Sequence, residues 1–355
     1  MITEPVYCTR EEVKASPDFK FTARNDAQID GAIVSGSRAV DNLCNRVFYP
    51  TDATRYFDYP DYVQPVPWKL YLGANELAAP ATSIKSGTVV IPIPSVNFEP
   101  ANFGPPYTRI ELRRDLSAAF GQSTSPQRDV AIIGTFGYWT KTAPCGTLAA
   151  AIASTSVTTI TVSNSSSPGS GIGVGDIILI DSERFLVADK AMVSTGQSQQ
   201  SGVTTAQKND QTLGVTDGTK FSTGETLLLN SERMLVLDIS GNSLTVERAY
   251  DGTTLATHSG ATIFSGRLLT VTRGDLGSTA ATHSNSAPIS KYVIPGTAKE
   301  LAIAEAINTI EQKTSGYART VGSGDNQRPA PGTGMQDIRK RCYEELGRKG
   351  RQRAL

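Results

Sequence analysis

Two Ser-Glu-Arg triplets and two histidines are the residues of this 355-residue chain whose types could support chemistry. The triplets are Ser182–Arg184 and Ser231–Arg233, and the histidines are His258 and His283, each inside a Thr-His-Ser run. A carboxylate beside a guanidinium or an imidazole can serve acid–base catalysis or bind a charged ligand. Both triplets, however, lie between two apolar runs, where turn chemistry alone favours polar residues. We therefore interpret each triplet as a solvated hairpin turn with a local Glu–Arg pair.

The remaining sequence contains no recognisable catalytic or cofactor motif. Neither histidine has a second His or Cys at metal-ligand spacing, so we interpret both as structural turn residues. The alternating glycines of Gly169–Gly175 lack the third glycine of a dinucleotide-binding loop, and we predict a flexible turn there. The four cysteines are far apart, which indicates free thiols in a reducing compartment, with Cys44 and Cys342 buried. We predict no enzyme activity, no catalytic residue, no cofactor and no metal.

The triplets belong to a longer internal repeat. Gly173–Asp189 and Ser222–Asp238 are identical at eight of 17 aligned positions. Val246–Ser259 and Val271–Ser284 are identical at eight of 14. Such duplication is typical of a β scaffold, and each triplet between its two apolar runs predicts a hairpin, with Asp181 or Asn230 starting a type I turn.

The order of the repeated pieces predicts that one β module is nested inside another. Within residues 154–290, the outer module would consist of 155–196 plus 267–290, and the inner module of 202–266. The joints would be Gln197–Gln200 and Ser265-Gly266. This hypothesis predicts that Leu269–Arg273 lies beside Phe185–Asp189.

Helical patterns occur near both ends of the chain. Thr9 and Glu12 form a capping box that predicts a short helix, and Thr297 and Glu300 predict the start of a third helix by the same signal. Between them a long helix is predicted over residues 25–47. Its inward face contains Ile29, Ile33, Gly36, Val40, Leu43 and Val47.

Two further features of the helices guide the fold. Gly36 either admits another helix, together with the small residues Ala32 and Ala39, or kinks the long helix. On the third helix one face is marked by isoleucines: Ile303, Ile307 and Ile310. The last helix is predicted over 335–346, with Gly347 as its stop.

These patterns predict an α+β fold, a small helical domain with large antiparallel β insertions between its second and third helices. Five short β-rich runs between Thr51 and Trp139 predict a small antiparallel sheet or sandwich. The predicted segments are the first helical part at 1–50, a β-rich insertion at 51–145, the duplicated modules at 154–290, the second helical part at 297–314, an extended linker at 315–334, and the C-terminal helix with a basic tail at 335–355.

Several runs resemble the head–tail connector proteins, also called adaptor or head-completion proteins, of long-tailed bacteriophages. The N-terminal run YCTREEVKAS, followed by NDAQIDGAIVSGSRAVDNLCNRVFYP and TRYFDYP, resembles the two helices and the Arg-Phe-Tyr exit of that family, here Arg46–Tyr49. The run RDVAIIGTFGYW (Arg128–Trp139) resembles the strand and aromatic turn that precede its later helices. The ending GTGMQDIRKRCYEELGRKGRQRAL resembles connectors of phages from actinobacterial hosts. The repeated runs GDIILIDSERFLV and GETLLLNSERMLV resemble modules of phage virion proteins.

The resemblance implies a structural virion protein, made in the host cytoplasm and located in the neck between capsid and tail. It implies a homo-oligomeric ring, dodecameric if it follows the portal. The ring would bind the portal protein above and a stopper or tail-terminator protein below, and genomic double-stranded DNA would pass through its lumen. The β modules would contact capsid, tail or a neighbouring subunit, and no membrane is involved.

The C-terminus carries the one local concentration of charge in a chain with 34 basic and 34 acidic residues. We predict that it docks on the portal or faces the DNA channel, the alternative being a disordered, solvated tail. The candidate residues are Tyr343, Arg348, Lys349, Arg351 and Arg353. The alternative is a carbohydrate-binding or adhesion-type tail protein that uses the β modules, although sugar stacking needs aromatic residues that lie mostly outside them.

Overall fold

The chain has an α+β fold, with helices towards both ends and large antiparallel sheets between them. The computed structural model describes residues 1–16, 25–59, 67–163, 171–314, 320–321, 328–329 and 334–348. The chain forms two compact units. We call one the barrel unit (Met1–Val40, Thr142–Asp275 and Thr279–Cys342) and the other the sheet unit (Asp41–Lys141, Leu276–Ser278 and Tyr343–Leu355).

The α-helices among the described residues are α1 (Arg10–Lys14), α2 (Asp26–Cys44), α3 (Gly296–Thr314) and α4 (Met335–Leu346). The predicted capping box of α1 is confirmed: Thr9 Oγ accepts from the Glu12 N–H at 3.2 Å, and the Glu12 carboxylate accepts from the Thr9 N–H at 3.0 Å. The predicted box of α3 is wrong, because the helix already begins at Gly296 and Thr297 Oγ1 lacks a hydrogen-bond partner.

Helix α2 is continuous through its central glycine, so of the two alternatives for Gly36 the kink is wrong. A Cβ on Gly36 would lie 2.9 Å from the carbonyl oxygen of Ala302, which places the backbones of α2 and α3 in close approach. The predicted use of Gly36 is thereby confirmed. Of the predicted isoleucine face of α3, Ile310 is buried, whereas Ile303 and Ile307 are only half-buried.

Helix α2 ends three residues earlier than predicted. Asn45 adopts a left-handed backbone with φ 52°, which interrupts the helical hydrogen bonding after Cys44. Val47 consequently lies outside the helix and is 52 % exposed instead of facing inward.

The sheet unit contains two antiparallel sheets, in the order β1-β7-β3-β4 and β2-β6-β5. The strands are β1 (Thr51–Phe57), β2 (Lys69–Tyr71), β3 (Ser83–Ser86), β4 (Val89–Ile91), β5 (Val96–Glu99), β6 (Arg109–Leu112) and β7 (Val130–Phe136). Each of the five β-rich runs in the sequence contributes a strand. Alternating residues such as Val130, Ile132 and Phe136 point into one shared core.

In the barrel unit, ten strands form a closed barrel with one additional internal pairing. The strands are β8 (Thr142–Leu148), β9 (Thr159–Ser163), β10 (Ile177–Ile180), β11 (Glu183–Gly202), β12 (Thr212–Val215), β13 (Thr226–Leu229), β14 (Glu232–Ser240), β15 (Ser243–Glu247), β16 (Thr262–Thr272) and β17 (Pro288–Tyr292). The additional pairing joins β11 to β16.

The β11–β16 ribbon divides the closed sheet into two six-stranded barrels. The outer barrel runs β8-β9-β16-β11-β10-β17 and closes between β17 and β8. The inner barrel runs β11-β12-β15-β14-β13-β16 and closes through the other part of the ribbon. Each barrel has its own cluster of buried apolar residues.

The nested arrangement has the strand pairing that our hypothesis requires, since Leu186 pairs with Thr272 and Val187 with Val271. Two details differ from the prediction. The proposed joints Gln197–Gln200 and Ser265-Gly266 lie inside β11 and β16, so an unbroken ribbon joins the barrels instead of loops. The outer barrel also begins with β8, upstream of the predicted module. In the predicted linker, Thr320–Val321 pairs with Arg328–Pro329 as β18 and β19, and its other residues from 315 to 333 lie outside the described residues.

We expect Gly36→Val to destabilise the protein, because its side chain must displace the backbone of α3. Overpacking of this kind costs about 1–3 kcal/mol. The matched control is Gly31→Ala on the same helix, where an added Cβ meets nothing within 4 Å. That change should stabilise by up to about 1 kcal/mol. Urea unfolding measures both, and equal midpoints for the two variants would contradict the close helix contact.

Candidate interaction site around Glu76

In the outer barrel, Glu183 is fully buried and binds both a guanidinium and an imidazole. Arg273 Nε and Nη2 donate to its two carboxylate oxygens at 2.9 and 2.7 Å. His283 Nε2 lies 2.9 Å from Oε2. The backbone N–H groups of Gly274 and Ala281 donate to the same carboxylate at 3.1 and 2.8 Å. We call Glu183, Arg273 and His283 the outer latch, because they fasten two loops onto one hairpin.

The inner barrel repeats this arrangement with Glu232, Arg248 and His258, which we call the inner latch. Arg248 Nε and Nη2 donate to the Glu232 carboxylate at 2.7 and 2.8 Å, and His258 Nε2 lies 2.9 Å from it. The N–H groups of Ala249 and Ala256 complete the set at 3.0 and 2.9 Å. The two glutamates are bound by five equivalent groups each, because the repeat duplicates the whole structural unit.

The latches overturn our interpretation of the Ser-Glu-Arg triplets as solvated turns with a local ion pair. The glutamate of each triplet is buried and pairs with an arginine that directly follows another strand. The neighbouring arginines are engaged elsewhere: Arg184 Nε donates to the Tyr292 hydroxyl at 3.0 Å, and Arg233 pairs with Asp251. A signal for the latches was present in the repeat, since the Glu, the Arg and the His are identical in both copies.

The hairpin loops also differ from the predicted type I turns. In each copy the strand residues flanking the loop pair directly, which leaves only two loop residues. The first of them is left-handed, with φ 52° at Asp181 and 51° at Asn230, where a type I turn needs a negative φ. These two side chains lie 2.7 Å from His283 Nδ1 and 3.2 Å from His258 Nδ1. The histidines are therefore buried within the latches, which assigns them a structural role.

The chemistry of the latches is that of permanent ion pairs. Burial alone would raise the pKa of Glu183 and Glu232, but hydrogen bonds from the arginine, the histidine and backbone N–H groups lower the pKa of each to about 2. A carboxylate with this pKa stays ionised at neutral pH and is poorly matched to general acid–base work. The latches thus stabilise the barrels. Among the residues that the structure describes, no group of three or more His, Cys, Asp or Glu side chains could hold a metal ion.

A cavity of about 880 Å³ lies in the barrel unit beside α1, the start of α2 and both barrels. Its wall carries charges of both signs, and they bind one another. Arg10 donates to Asp30 at 2.8 Å, and Lys14 lies 2.5 Å from Asp26. The cavity therefore does not favour a ligand of either charge.

The sheet unit contains a buried carboxylate, Glu76, at which three segments of the chain come together. Arg46, just after α2, places Nε 2.9 Å from Oε2 and donates from Nη2 to Oε1 at 3.0 Å. The Gly137 N–H, just after β7, donates to the Glu76 carbonyl oxygen at 2.9 Å. Arg348, just after α4, places Nε 3.8 Å from Oε1 and donates its backbone N–H to the Cys44 carbonyl at 2.9 Å. We call this set of contacts the Glu76 site.

Aromatic side chains cover one side of the Glu76 site. The Arg46 guanidinium lies 4.9 Å from the centre of the Tyr138 ring. Phe48 meets that ring edge-on at 5.4 Å, and Trp139 lies 5.0 Å from it. Burial raises the pKa of Tyr138, Arg46 opposes that rise, and nearby carboxylates add to it. Gly137 has no tolerance for a side chain, which would collide with the carbonyl oxygen of Tyr49.

The structure places two of the five predicted C-terminal residues. Tyr343 is 39 % exposed on α4, and the Arg348 side chain is 21 % exposed beside Glu76. Gly347 stops α4 as predicted, and its N–H makes the last helical bond to the Tyr343 carbonyl at 2.8 Å. Lys349, Arg351 and Arg353 lie outside the described residues. Glu76 itself, flanked by Asn75 and Leu77, had no sequence signal that would mark it.

Arg348 is the more weakly paired arginine of the site, at 3.8 Å from the Glu76 carboxylate. Glu76 is already neutralised by Arg46 at close range, so Arg348 adds a positive charge that its longer ion pair satisfies only in part.

Comparison with protein-family models, curated proteins and solved structures finds no match. In the part of the chain that the structure describes, no helix is long and apolar enough to cross a membrane.

We expect acid to weaken both barrels through their latches. The folded pKa of about 2 lies below the ordinary glutamate value of 4.5. Each carboxylate therefore contributes its full stabilisation at pH values above 4.5. The stabilisation is lost as the pH falls towards 2. It amounts to about 3 kcal/mol per latch.

Urea unfolding at pH 7, 4 and 3 tests this, with Glu183→Gln as the comparison. The variant should be less stable at pH 7 and should lose less stability than the wild type between pH 4 and 3. Parallel pH dependence in the two proteins would show that Glu183 is not a main source of the acid sensitivity.

For the Glu76 site we expect Glu76→Gln to lower the free energy of unfolding by about 3 kcal/mol, because it leaves the charge of Arg46, whose side chain is only 12 % exposed, without its close partner. The matched control is Arg348→Gln, whose longer and partly exposed ion pair should contribute less than about 1 kcal/mol. Similar losses in the two variants would contradict the assignment of Arg46 as the main partner of Glu76.

Proposed function

We propose that the chain is a non-enzymatic structural subunit of a phage virion, which forms a homo-oligomeric ring between the portal of the head and the neck or tail. In this proposal the ring surrounds the channel through which the DNA leaves. The supporting observation is the composition of the Glu76 site. Its contacts come from Arg46–Tyr49, Gly137–Trp139 and the C-terminal run, the three segments whose sequences resemble head–tail connectors.

The nature of the charged clusters supports a structural role. Both latches use their glutamate, arginine and histidine to hold loops on barrels, and their carboxylates stay ionised. Polar side chains that are fully engaged in this way are not available for a substrate. The two helices in close contact at Gly36, α2 and α3, provide a rigid body of the kind that ring packing requires.

In this proposal the docking element is the C-terminal segment that begins at Arg348. Arg348 is anchored by its backbone bond to Cys44 and by Glu76, directly before the basic residues Lys349, Arg351 and Arg353 in the sequence. Guanidinium groups form paired hydrogen bonds with carboxylates, which suits an acidic surface of a portal protein. Tyr343 lies on the last turns of α4 and adds a partly exposed aromatic ring beside the same element.

Neutralising the tail should abolish docking without unfolding the protein. We expect the triple substitution Lys349→Gln, Arg351→Gln and Arg353→Gln to remove rings from purified portals in negative-stain images. The matched control, Lys349→Arg with Arg351→Lys and Arg353→Lys, preserves the charge and should retain docking. Arg348 is left unchanged in both because it contacts Glu76.

The outcomes separate the parts of the proposal. Normal docking of the neutral variant would overturn the role of the tail while leaving the ring in place. A wild-type protein that forms no ring, with or without portal, would overturn the connector function. Glycan binding by such a protein would instead favour the adhesion-type alternative.

A further inference from the structure

We infer that the inner barrel is a self-contained module inserted at the tip of one hairpin of the outer barrel, and that it can be removed without unfolding the rest of the chain. The inference concerns the fold and does not depend on the proposed function.

The first argument is that the two barrels match strand for strand. In the outer barrel, β10 pairs with β11, β11 with β16, and β16 with β9. In the inner barrel, the matching pairs are β13 with β14, β14 with β15, and β15 with β12. The remaining pairs match as well. Strands β8 and β17 of the outer barrel correspond to the segments of β11 and β16 that belong to the inner barrel, Gln199–Gly202 and Ile263–Ser265. Two complete copies of one closed unit are therefore present.

The second argument comes from the one place where the copies differ in connection. In the inner barrel, Ser240 pairs with Ser243 across the two-residue loop Gly241-Asn242. At the equivalent place in the outer barrel, Ala191 pairs with Leu268, and everything between them belongs to the insertion. The flanking sequences agree with this match: FLVADKA and LLTVTRG in the outer copy correspond to MLVLDIS and SLTVERA in the inner copy. A two-residue turn can therefore replace Met192–Arg267.

The third argument is that no core or latch is shared. The buried apolar cluster of the inner barrel lies between Val203 and Ile263, and that of the outer barrel lies entirely outside this range. Each latch takes its glutamate, arginine and histidine from its own barrel. Arg267, within the removed segment, binds Glu225, which is removed with it.

One described ion pair between the inner barrel and the helices would be lost. Lys14 on α1 lies 2.7 Å from Asp251 in the inner barrel. Removal of Asp251 leaves Lys14 with Asp26 on α2, which lies at 2.5 Å. The lysine thus keeps a carboxylate partner, and excision does not strand a buried charge.

The test is a full-length chain in which Met192–Arg267 is replaced by Gly-Asn. All four cysteines lie outside the removed segment and are buried, so their thiols report on the remaining fold. Burial also raises the pKa of the Cys145 thiol, in the outer-barrel core, to about 12, which suppresses its reactive thiolate. We expect all four thiols to react with a thiol reagent at rates within about threefold of the wild type, since an open core would speed them by orders of magnitude.

A second experiment uses the protein without excision and remains decisive if the shortened chain fails for another reason. Glu232→Gln and Glu183→Gln are equivalent substitutions in the two latches. If the barrels are separate modules, Glu232→Gln should speed amide hydrogen exchange by roughly 100-fold in the strands of residues 203–263 and leave residues 177–187 unchanged. Glu183→Gln should give the reverse pattern.

Two results would overturn the inference. One is rapid reaction of Cys145 in the shortened chain together with Glu232→Gln exchange that spreads into both barrels. The other is equal acceleration in both barrels by either single substitution, which would show one cooperative unit. Since neither readout involves a portal, failure of the connector proposal leaves both results interpretable.

Discussion

The burial of one carboxylate in each barrel is the constraint on which the barrel unit depends. A glutamate without solvent must find enough donors to replace water, or its barrel loses several kcal/mol. Glu183 and Glu232 meet this need with an arginine, a histidine and two backbone N–H groups each. The arginine lies in the turn after a strand and the histidine in a later loop. One buried carboxylate therefore holds two irregular segments, the turn that carries the arginine and the loop that carries the histidine, against the sheet.

The β11–β16 ribbon carries the second constraint, since each of its strands serves two barrels. A six-stranded barrel needs every strand paired on both sides, and here β11 and β16 pair with each other in both barrels, at different parts of their length. The ladder shifts register between Val187 and Asp189, between Ala191 and Val193, and between Ser194 and Gln197. Such bulges increase local twist, which allows one ribbon to leave the first barrel and enter the second without a flexible joint.

Much of the fold could be predicted from local patterns, and the errors concern interactions that are distant along the chain. Alternating apolar residues located the strands, and Thr9 with Glu12 located α1. The latches were missed because a Ser-Glu-Arg triplet between strands is chemically identical to a surface turn until its partner is known, and Arg273 lies 90 residues from Glu183. The Glu76 site was missed for the same reason. Arg46 belongs to the Arg-Phe-Tyr run and Arg348 to the basic C-terminus, so the sequence marked both arginines. Glu76, the buried carboxylate that pairs with both, lies in no recognisable sequence pattern.

The two buried carboxylate systems differ in a way that bears on function. In each latch one arginine, one histidine and two backbone N–H groups bind one glutamate, so its charge is satisfied inside a single module. At Glu76 two guanidinium groups face one carboxylate, and the second is held at 3.8 Å with part of its side chain exposed. The second guanidinium is therefore held loosely by its charge and firmly by its backbone, through the bond from the Arg348 N–H to the Cys44 carbonyl. Among the described residues, this combination separates the Glu76 site from the latches, whose charged groups are all held at close range.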